Sequence, residues 1–284
     1  AMHSQDVKVL SLAADMCLSL RNYQDAELLC LAALNLQPKS STPYRVYARF
    51  ARDMGQRDYV HAYYKRACIP FTGKGKGSSV SRSCLEYGNY LLEPWELNIA
   101  DAERIWRLGM QHLSNGEQGE FDLDAADIFY SMGRLYHLYR RESHNAMEYY
   151  NHSIKCNKDH YEALFCSACL LSTSKHPKDH ELADILYHRA FVGEKRKDRP
   201  DFLKLLFYVS FLESKIKDFQ QAERECLRAL YLGYNMSFAA LGYADFLKHI
   251  LRSNRFARKA YSKVADFHPN DPSAIMGLAY LIFH

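Results

Sequence analysis

The chain has 284 residues, of which 48% are hydrophobic and 25% are charged, and its formal net charge is +4. This composition excludes an intrinsically disordered chain, and the charge is too small to indicate by itself a protein that binds nucleic acid or a membrane surface. The 21 Tyr and 15 Phe beside only 13 Gly and eight Pro favour long, helix-rich segments.

One sequence pattern recurs seven times: an alanine-like residue, a bulky residue four positions later, and a small residue three positions after that. Its members are Ala26/Cys30/Ala33, Val60/Tyr64/Ala67, Ala102/Trp106/Gly109, Ala146/Tyr150/Ser153, Ala183/Tyr187/Ala190, Ala222/Cys226/Ala229 and Ala257/Tyr261/Val264. Their first residues lie 34, 42, 44, 37, 39 and 35 positions apart. Residues with this spacing share one face of a helix, where small side chains let a neighbouring helix approach closely. A helical pattern with such a period indicates a solenoid of helical repeats.

Each occurrence follows another amphipathic segment, and short polar breaks such as "RNYQD" and "GQRD" separate the two. The predicted repeat is therefore a helical hairpin, with helix A first and helix B, which carries the recurring pattern, second. The predicted units span residues 7–40, 41–74, 80–116, 122–158, 160–197, 202–236 and 237–270, with a final helix over 272–283, all within one domain over 5–284. Because that final helix is apolar and lacks the polar outer face of a terminal repeat, we expect the chain to be a piece of a longer protein.

The pattern resembles the tetratricopeptide repeat, whose unit of about 34 residues combines W-x2-L-G-x2-Y, A-x3-F and Pro. The matching residues include Phe129, Met132, Gly133 and Tyr136 in the fourth unit, and Ala26, Ala33 and Pro38 in the first. The consensus tryptophan is absent, and the half-a-tetratricopeptide branch of RNA-processing scaffolds is similarly degenerate. The resemblance implies an all-α fold, a right-handed superhelical solenoid of about seven hairpins plus a C-terminal helix.

Candidate metal and catalytic residues do not form a recognisable site. His152, Cys156 and His160 stand four apart, and Cys166 and Cys169 form a C-x-x-C nearby, which zinc can use. The two cysteines fall in the helical stretch "ALFCSACLL", so we interpret them as packing residues. The loop "GKGKGSS" lacks the spacing of a phosphate-binding loop, and no nucleophile stands at a catalytic spacing. We therefore expect no enzyme, no metal and no cofactor.

The eight cysteines show no spacing typical of a secreted disulfide framework. The sequence also has no signal peptide and no apolar run long enough to cross a membrane. These features predict an intracellular protein, in the cytoplasm or the nucleus, with no membrane insertion.

The resemblance implies that the A helices line a concave surface on which a partner binds. The residues predicted to contact it are Arg45, Arg49, Arg52, Asn89, Tyr130, Arg134, Phe165, Phe207, Phe211 and Lys248. A basic stretch followed by an aromatic one suits a peptide or helix with acidic and apolar side chains, because arginine binds carboxylates and aromatic rings supply contact energy. The lysine and asparagine clamp of chaperone-binding family members is not assembled, because Leu85 and Arg134 stand at two of its positions.

The sequence thus predicts a non-catalytic scaffold or adaptor for protein–protein interaction. One alternative is an RNA-processing scaffold, in which the arginines and the basic loop over 195–199 contact RNA or a ribonucleoprotein. Another is the targeting arm of a larger enzyme. The apolar tail "IMGLAYLIF" also predicts a homodimer through terminal repeats.

Overall fold

The computed structural model describes residues 2–69, 78–113, 123–194 and 202–232, and further along residues 241, 244–245, 248, 254–267, 269–270 and 272–283. Regular secondary structure in these ranges is helical throughout. The helices of the first part are α1 (Met2–Ser19), α2 (Tyr23–Leu36), α3 (Ser41–Asp53), α4 (Arg57–Ala67), α5 (Ser78–Leu91), α6 (Ile99–Leu113), α7 (Leu123–Arg134) and α8 (Ser143–Cys156). They are followed by α9 (Tyr161–Ser172), α10 (Pro177–Glu194), α11 (Phe202–Phe211), α12 (Phe219–Leu232), α13 (Asn254–Phe267) and α14 (Pro272–Phe283).

The helices fall into two compact units, Ala1–Lys158 and Asp159–His284, which we call the N-terminal and C-terminal units. In the N-terminal unit α1 packs on α2, α3 on α4, α5 on α6 and α7 on α8, and the A helices α1, α3, α5 and α7 also pack on one another in order. In the C-terminal unit the pairs are α9 with α10, α11 with α12 and α13 with α14. Consecutive helices therefore form hairpins, as the sequence pattern predicted.

The recurring three-residue pattern forms the contact inside each hairpin. All of its members whose side chains the structure describes are buried. The bulky position is at most 2% exposed in each described case, which are Cys30, Tyr64, Trp106, Tyr150, Tyr187 and Tyr261. Burial raises the pKa of the Cys30 thiol to about 12. Cys30 is thus a packing residue with an inert thiol.

Two glycines allow helix B to approach helix A closely. A Cβ atom on Gly133 would lie 2.5 Å from the Tyr150 ring, and one on Gly88 would lie 2.2 Å from Trp106 Nε1. Neither distance is compatible with a side chain at the glycine position, so these aromatic rings lie directly against the glycine backbone.

Five turns within hairpins contain a residue in the left-handed region, whereas the turn between α9 and α10 contains none. Arg21 (φ 58°), Gly55 (φ 71°), Leu97 (φ 42°), Arg141 (φ 57°) and Lys217 (φ 62°) occupy this position. After α1 the N–H of Arg21 donates to Leu18 O at 3.0 Å and that of Asn22 to Cys17 O at 2.8 Å, which closes the helix as a Schellman motif. The Asn22 side chain then accepts from the N–H of Asp25 and caps α2.

Two A helices end in a wider π-helical turn, over Leu135–Arg140 after α7 and over Leu212–Ile216 after α11. The wider turn changes the angular position of the residues that follow, so a regular α-helical period does not place them correctly. No helix within the described ranges has both the length and the apolar character needed to span a bilayer.

Candidate functional site

The arginines of α3 are neutralised by carboxylates from the neighbouring A helices. Arg45 Nη1 lies 2.5 Å from Glu86 Oε1 of α5, and Arg49 forms an ion pair with Asp15 of α1. Burial opposes the charge of Arg49, but Glu86 and Asp15 together raise its pKa above the ordinary value. These ion pairs connect α1, α3 and α5.

Arg52 completes the series, with its Nη1 3.7 Å from Glu93 Oε1. The sequence predicted a basic stretch available to acidic partners or phosphates, and the structure corrects this prediction. The arginines of α3 bind carboxylates of their own unit, since residues at equivalent positions of adjacent A helices lie side by side. The second basic element, over 195–199, lies outside the described residues.

A cleft of about 430 Å³ opens beside these arginines, between α5 and α7, and we call it the α5–α7 cleft. Its volume is that of a small ligand or of a few peptide side chains. It contains three of the predicted contact residues, Asn89, Tyr130 and Arg134. The full lining is Leu85, Asn89, Leu92, Glu93, Pro94, Trp106, Asp127, Tyr130, Ser131, Arg134 and Tyr139.

The apolar part of the cleft is held in place by the hairpin packing. Trp106 of α6 is 1% exposed, and its Nε1–H donates to Leu85 O at 3.3 Å. Tyr130 lies against Tyr150 of the next helix, with 6.2 Å between the ring centroids. Because these rings are fixed by the core, the cleft exists without a bound partner.

The polar groups of the cleft are only partly satisfied. Ser131 Oγ donates to Asn89 Oδ1 at 3.4 Å. The exposed Arg134 places its Cζ atom 5.8 Å from the Tyr130 ring centroid and, within the described ranges, forms no ion pair. Glu93 Oε2 is buried and has no hydrogen-bond partner among the described residues. The cleft therefore offers a partner both a guanidinium donor and a carboxylate acceptor.

The structure corrects two of the predicted aromatic contacts in the C-terminal unit. Phe165 is 8% exposed and Phe211 is 4% exposed, so neither lines a surface. Their rings lie 5.6 and 5.3 Å from the Tyr187 ring of α10, which covers this face of both A helices. Phe207, by contrast, is 65% exposed and remains available as a surface residue.

The last predicted contact, Lys248, is partly buried. Its Nζ atom lies 3.6 Å from the ring centroid of Tyr280 in α14, a cation–π contact within the C-terminal unit. Its ammonium group is thus already engaged, and this residue contributes to the packing of its own unit.

Two of the residues considered as zinc ligands, His160 and Cys169, have other roles. His160 Nδ1 accepts from the N–H of Ala163 at 3.1 Å and caps α9. Cys169 Sγ accepts from the Tyr187 hydroxyl at 3.3 Å, and burial raises the pKa of Cys169 to about 11. Across the described ranges no three His, Cys, Asp or Glu side chains are arranged to hold a metal ion.

Sequence analysis missed Trp106, Asp127 and Tyr139 as cleft residues. Trp106 was assigned to packing alone, although it also forms part of the cleft. Asp127 precedes Tyr130 and Arg134 by three and seven positions, so the helical spacing that predicted those two residues also contains it. Tyr139 lies in the π-helical turn, where an α-helical period misplaces it.

No family model matches the sequence, and no curated protein matches it significantly. Solved structures do resemble it. PilF from Pseudomonas aeruginosa has a TM-score of 0.60 and 16% identity, over 87% of this chain and 98% of that chain. The C-terminal part of a TPR repeat-containing protein from Cytophaga hutchinsonii has a TM-score of 0.62 and 15% identity, over 94% and 99%.

A third similar structure is a chain of the Cut9–Hcn1 hetero-tetramer of the APC/C, with a TM-score of 0.61 and 12% identity. The match covers 96% of this chain and 49% of that chain. At these identities the likeness concerns the fold, and it agrees with the hairpin order and the buried repeat pattern. The chain is therefore an all-α helical-repeat solenoid with the fold of the tetratricopeptide repeat proteins.

Proposed function

We propose that the chain is a non-catalytic scaffold or adaptor that binds a segment of a partner protein in the α5–α7 cleft. The observation that carries this proposal is the cleft itself, a preformed cavity with an aromatic wall and unsatisfied polar groups. Interfaces gain most of their affinity from a few aromatic and arginine side chains in such surroundings. We also retain the division into seven repeat units and the intracellular location as predictions.

The chemistry of the cleft supports binding and gives no support to catalysis. The Ser131 hydroxyl donates to the amide oxygen of Asn89, and an amide cannot act as a general base for it. The donor of Arg134 and the acceptor of Glu93 match the groups that a peptide presents. An extended peptide or one face of a helix would fill the volume.

The ion pairs of α3 bear on the alternative functions. Arg45 and Arg49 are paired with Glu86 and Asp15, so binding phosphates through them would require breaking interhelical contacts, whereas Arg52 makes only a long contact to Glu93. An RNA-processing role therefore has no support from these residues. The roles of targeting arm and of homodimer through terminal repeats stay predictions.

The proposal is tested by selecting random dodecapeptides displayed on phage against the purified chain and measuring the affinity of the selected peptides by fluorescence anisotropy. Tyr130→Ala should weaken binding about tenfold or more, since it removes an aromatic contact from the cleft wall. The matched control is Arg104→Ala, which changes an exposed residue of α6 outside the cleft.

Both variants should retain the far-ultraviolet circular dichroism of the parent chain. Peptides that bind Tyr130→Ala as tightly as the parent chain would show that the cleft is not the binding site. Failure to select any binding peptide would also contradict the proposal.

A further inference from the structure

Glu93 occupies a fixed position at the mouth of the α5–α7 cleft, in the turn that follows α5. Its N–H donates to Tyr90 O at 3.0 Å, and its carbonyl oxygen accepts from the N–H groups of Glu96 and Leu97, both at 2.9 Å. The backbone of Glu93, a residue of the cleft lining, is therefore held from both sides.

The two oxygens of this carboxylate differ in their surroundings. Oε1 lies 3.7 Å from Arg52 Nη1, a long contact to a side chain that is 41% exposed. Oε2 is buried without a hydrogen-bond partner among the described residues. A charged oxygen buried without a donor destabilises a protein, and an exposed, distant arginine compensates for little of that cost.

Burial raises the pKa of Glu93, Arg52 opposes this shift and Glu96 adds to it. The direction agrees with the geometry, because both indicate a carboxylate whose charge is not fully compensated by the protein. The Glu93 side chain is 26% exposed, so a cation from a partner can approach the carboxylate group and compensate its charge.

The surroundings of Glu93 specify the shape of that cation. Leu92, Tyr130 and Tyr139 line the cleft and are not fully buried, so a long aliphatic stem can lie along apolar surface while its charged end reaches the carboxylate. Asp127 adds a second acidic side chain to the lining, and the Arg134 guanidinium lies over the Tyr130 ring. A lysine or arginine side chain fits this combination.

We propose that the α5–α7 cleft recognises a partner segment carrying a lysine or arginine whose cation binds the Glu93 carboxylate, with an adjacent apolar side chain against the aromatic wall. This inference rests on the proposed function and identifies the chemistry of the partner. It departs from the acidic partner expected from the sequence, because Arg45 and Arg49 are already paired with Glu86 and Asp15, while Arg134 stays a donor of the cleft.

The test uses three pools of acetylated, amidated nonapeptides that are random except for a central residue fixed as Lys, Glu or Leu. Their binding to the parent chain, to Tyr130→Ala and to Glu93→Gln is measured by fluorescence anisotropy. The Lys pool should bind the parent chain about tenfold more tightly than the Glu pool, and Glu93→Gln should remove this preference. Glu148→Gln, an exposed change on α8 outside the cleft, is the matched control and should leave the preference unchanged.

The outcomes separate this inference from the proposed function. Binding that depends on Tyr130 but shows no preference for Lys, or prefers Glu, overturns the inference and keeps the peptide-binding cleft. A Lys preference that survives in Glu93→Gln overturns the assignment to this carboxylate. If no pool shows binding that depends on Tyr130, both the inference and the proposed function are overturned.

Discussion

Gly88 of α5 faces the indole of Trp106, and replacing it by alanine is a direct test of the packing. The new Cβ would lie 2.2 Å from Trp106 Nε1, 2.5 Å from Cε2 and 2.7 Å from Cδ1. Trp106 is 1% exposed and has no space into which it can withdraw without displacing its neighbours. The ring must therefore shift, and with it one wall of the α5–α7 cleft.

Three effects determine how much Gly88→Ala changes the free energy of unfolding. Overpacking a core costs about 1–3 kcal/mol. Movement of the indole lengthens the 3.3 Å hydrogen bond to Leu85 O, whose loss costs about 1 kcal/mol. Alanine is the better helix former by about 1 kcal/mol, which offsets the second effect. We expect Gly88→Ala to lower the free energy of unfolding by about 1–3 kcal/mol.

Urea unfolding followed by far-ultraviolet circular dichroism measures this change. Gly109→Ala is the graded control, because its Cβ would lie 3.0 Å from Cys84 Cβ, a contact that a small shift relieves, and its cost should be smaller. Adding Trp106→Phe to Gly88→Ala should cost less than the two single changes together, since the smaller ring makes room for the methyl group. A Gly88→Ala chain as stable as its parent would refute the proposed contact.

Two further predictions concern titratable groups. Burial alone raises the pKa of Glu103, but hydrogen bonds from Arg107 and Tyr136 and the charge of Arg140 bring it below the ordinary value. Glu103→Gln should therefore destabilise the chain by about 1–2 kcal/mol at neutral pH. The difference in urea midpoint should start to shrink as the pH falls through the ordinary glutamate pKa of about 4.3, and should vanish below the lower pKa of the folded chain. A difference that persisted at low pH would contradict this. Burial lowers the pKa of His137, whose Nδ1 lies 3.3 Å from the Tyr150 hydroxyl, so the unfolded chain takes up the proton first and the parent loses stability as the pH falls below about 6.5. In His137→Gln this part of the pH dependence should be missing from thermal unfolding curves, and identical pH profiles would exclude the assignment.

The ion pairs of the A helices show which structural features the repeat period predicts and which it does not. Asp15 and Arg49 are 34 positions apart, and Arg45 and Glu86 are 41 apart, both close to one repeat. The period alone places such residues at equivalent positions of neighbouring hairpins. Whether they pair or face solvent depends on the distance between the two helices and on the side-chain rotamers, which the period does not contain.

The aromatic residues of the C-terminal unit also show that the repeat period does not predict which side chains are exposed. Phe165, Phe207 and Phe211 occupy predicted outward positions of A helices, yet only Phe207 is exposed. The helix pattern describes one hairpin, whereas the long α10 covers residues of both α9 and α11 within the C-terminal unit. Burial of Phe165 thus depends on helix B of its own hairpin, and burial of Phe211 depends on helix B of the preceding hairpin.

The sequence by itself determined the helical hairpins and the residues that join their helices, because small and bulky side chains at a helical spacing allow one kind of close packing. It also identified Asn89, Tyr130 and Arg134 as neighbours on successive A helices. Only the tertiary structure decided that the α3 arginines are paired, that two predicted aromatic contacts are core residues, and that Glu93 has an oxygen without a donor. These features depend on distances between side chains from different helices, and packing of whole helices sets those distances.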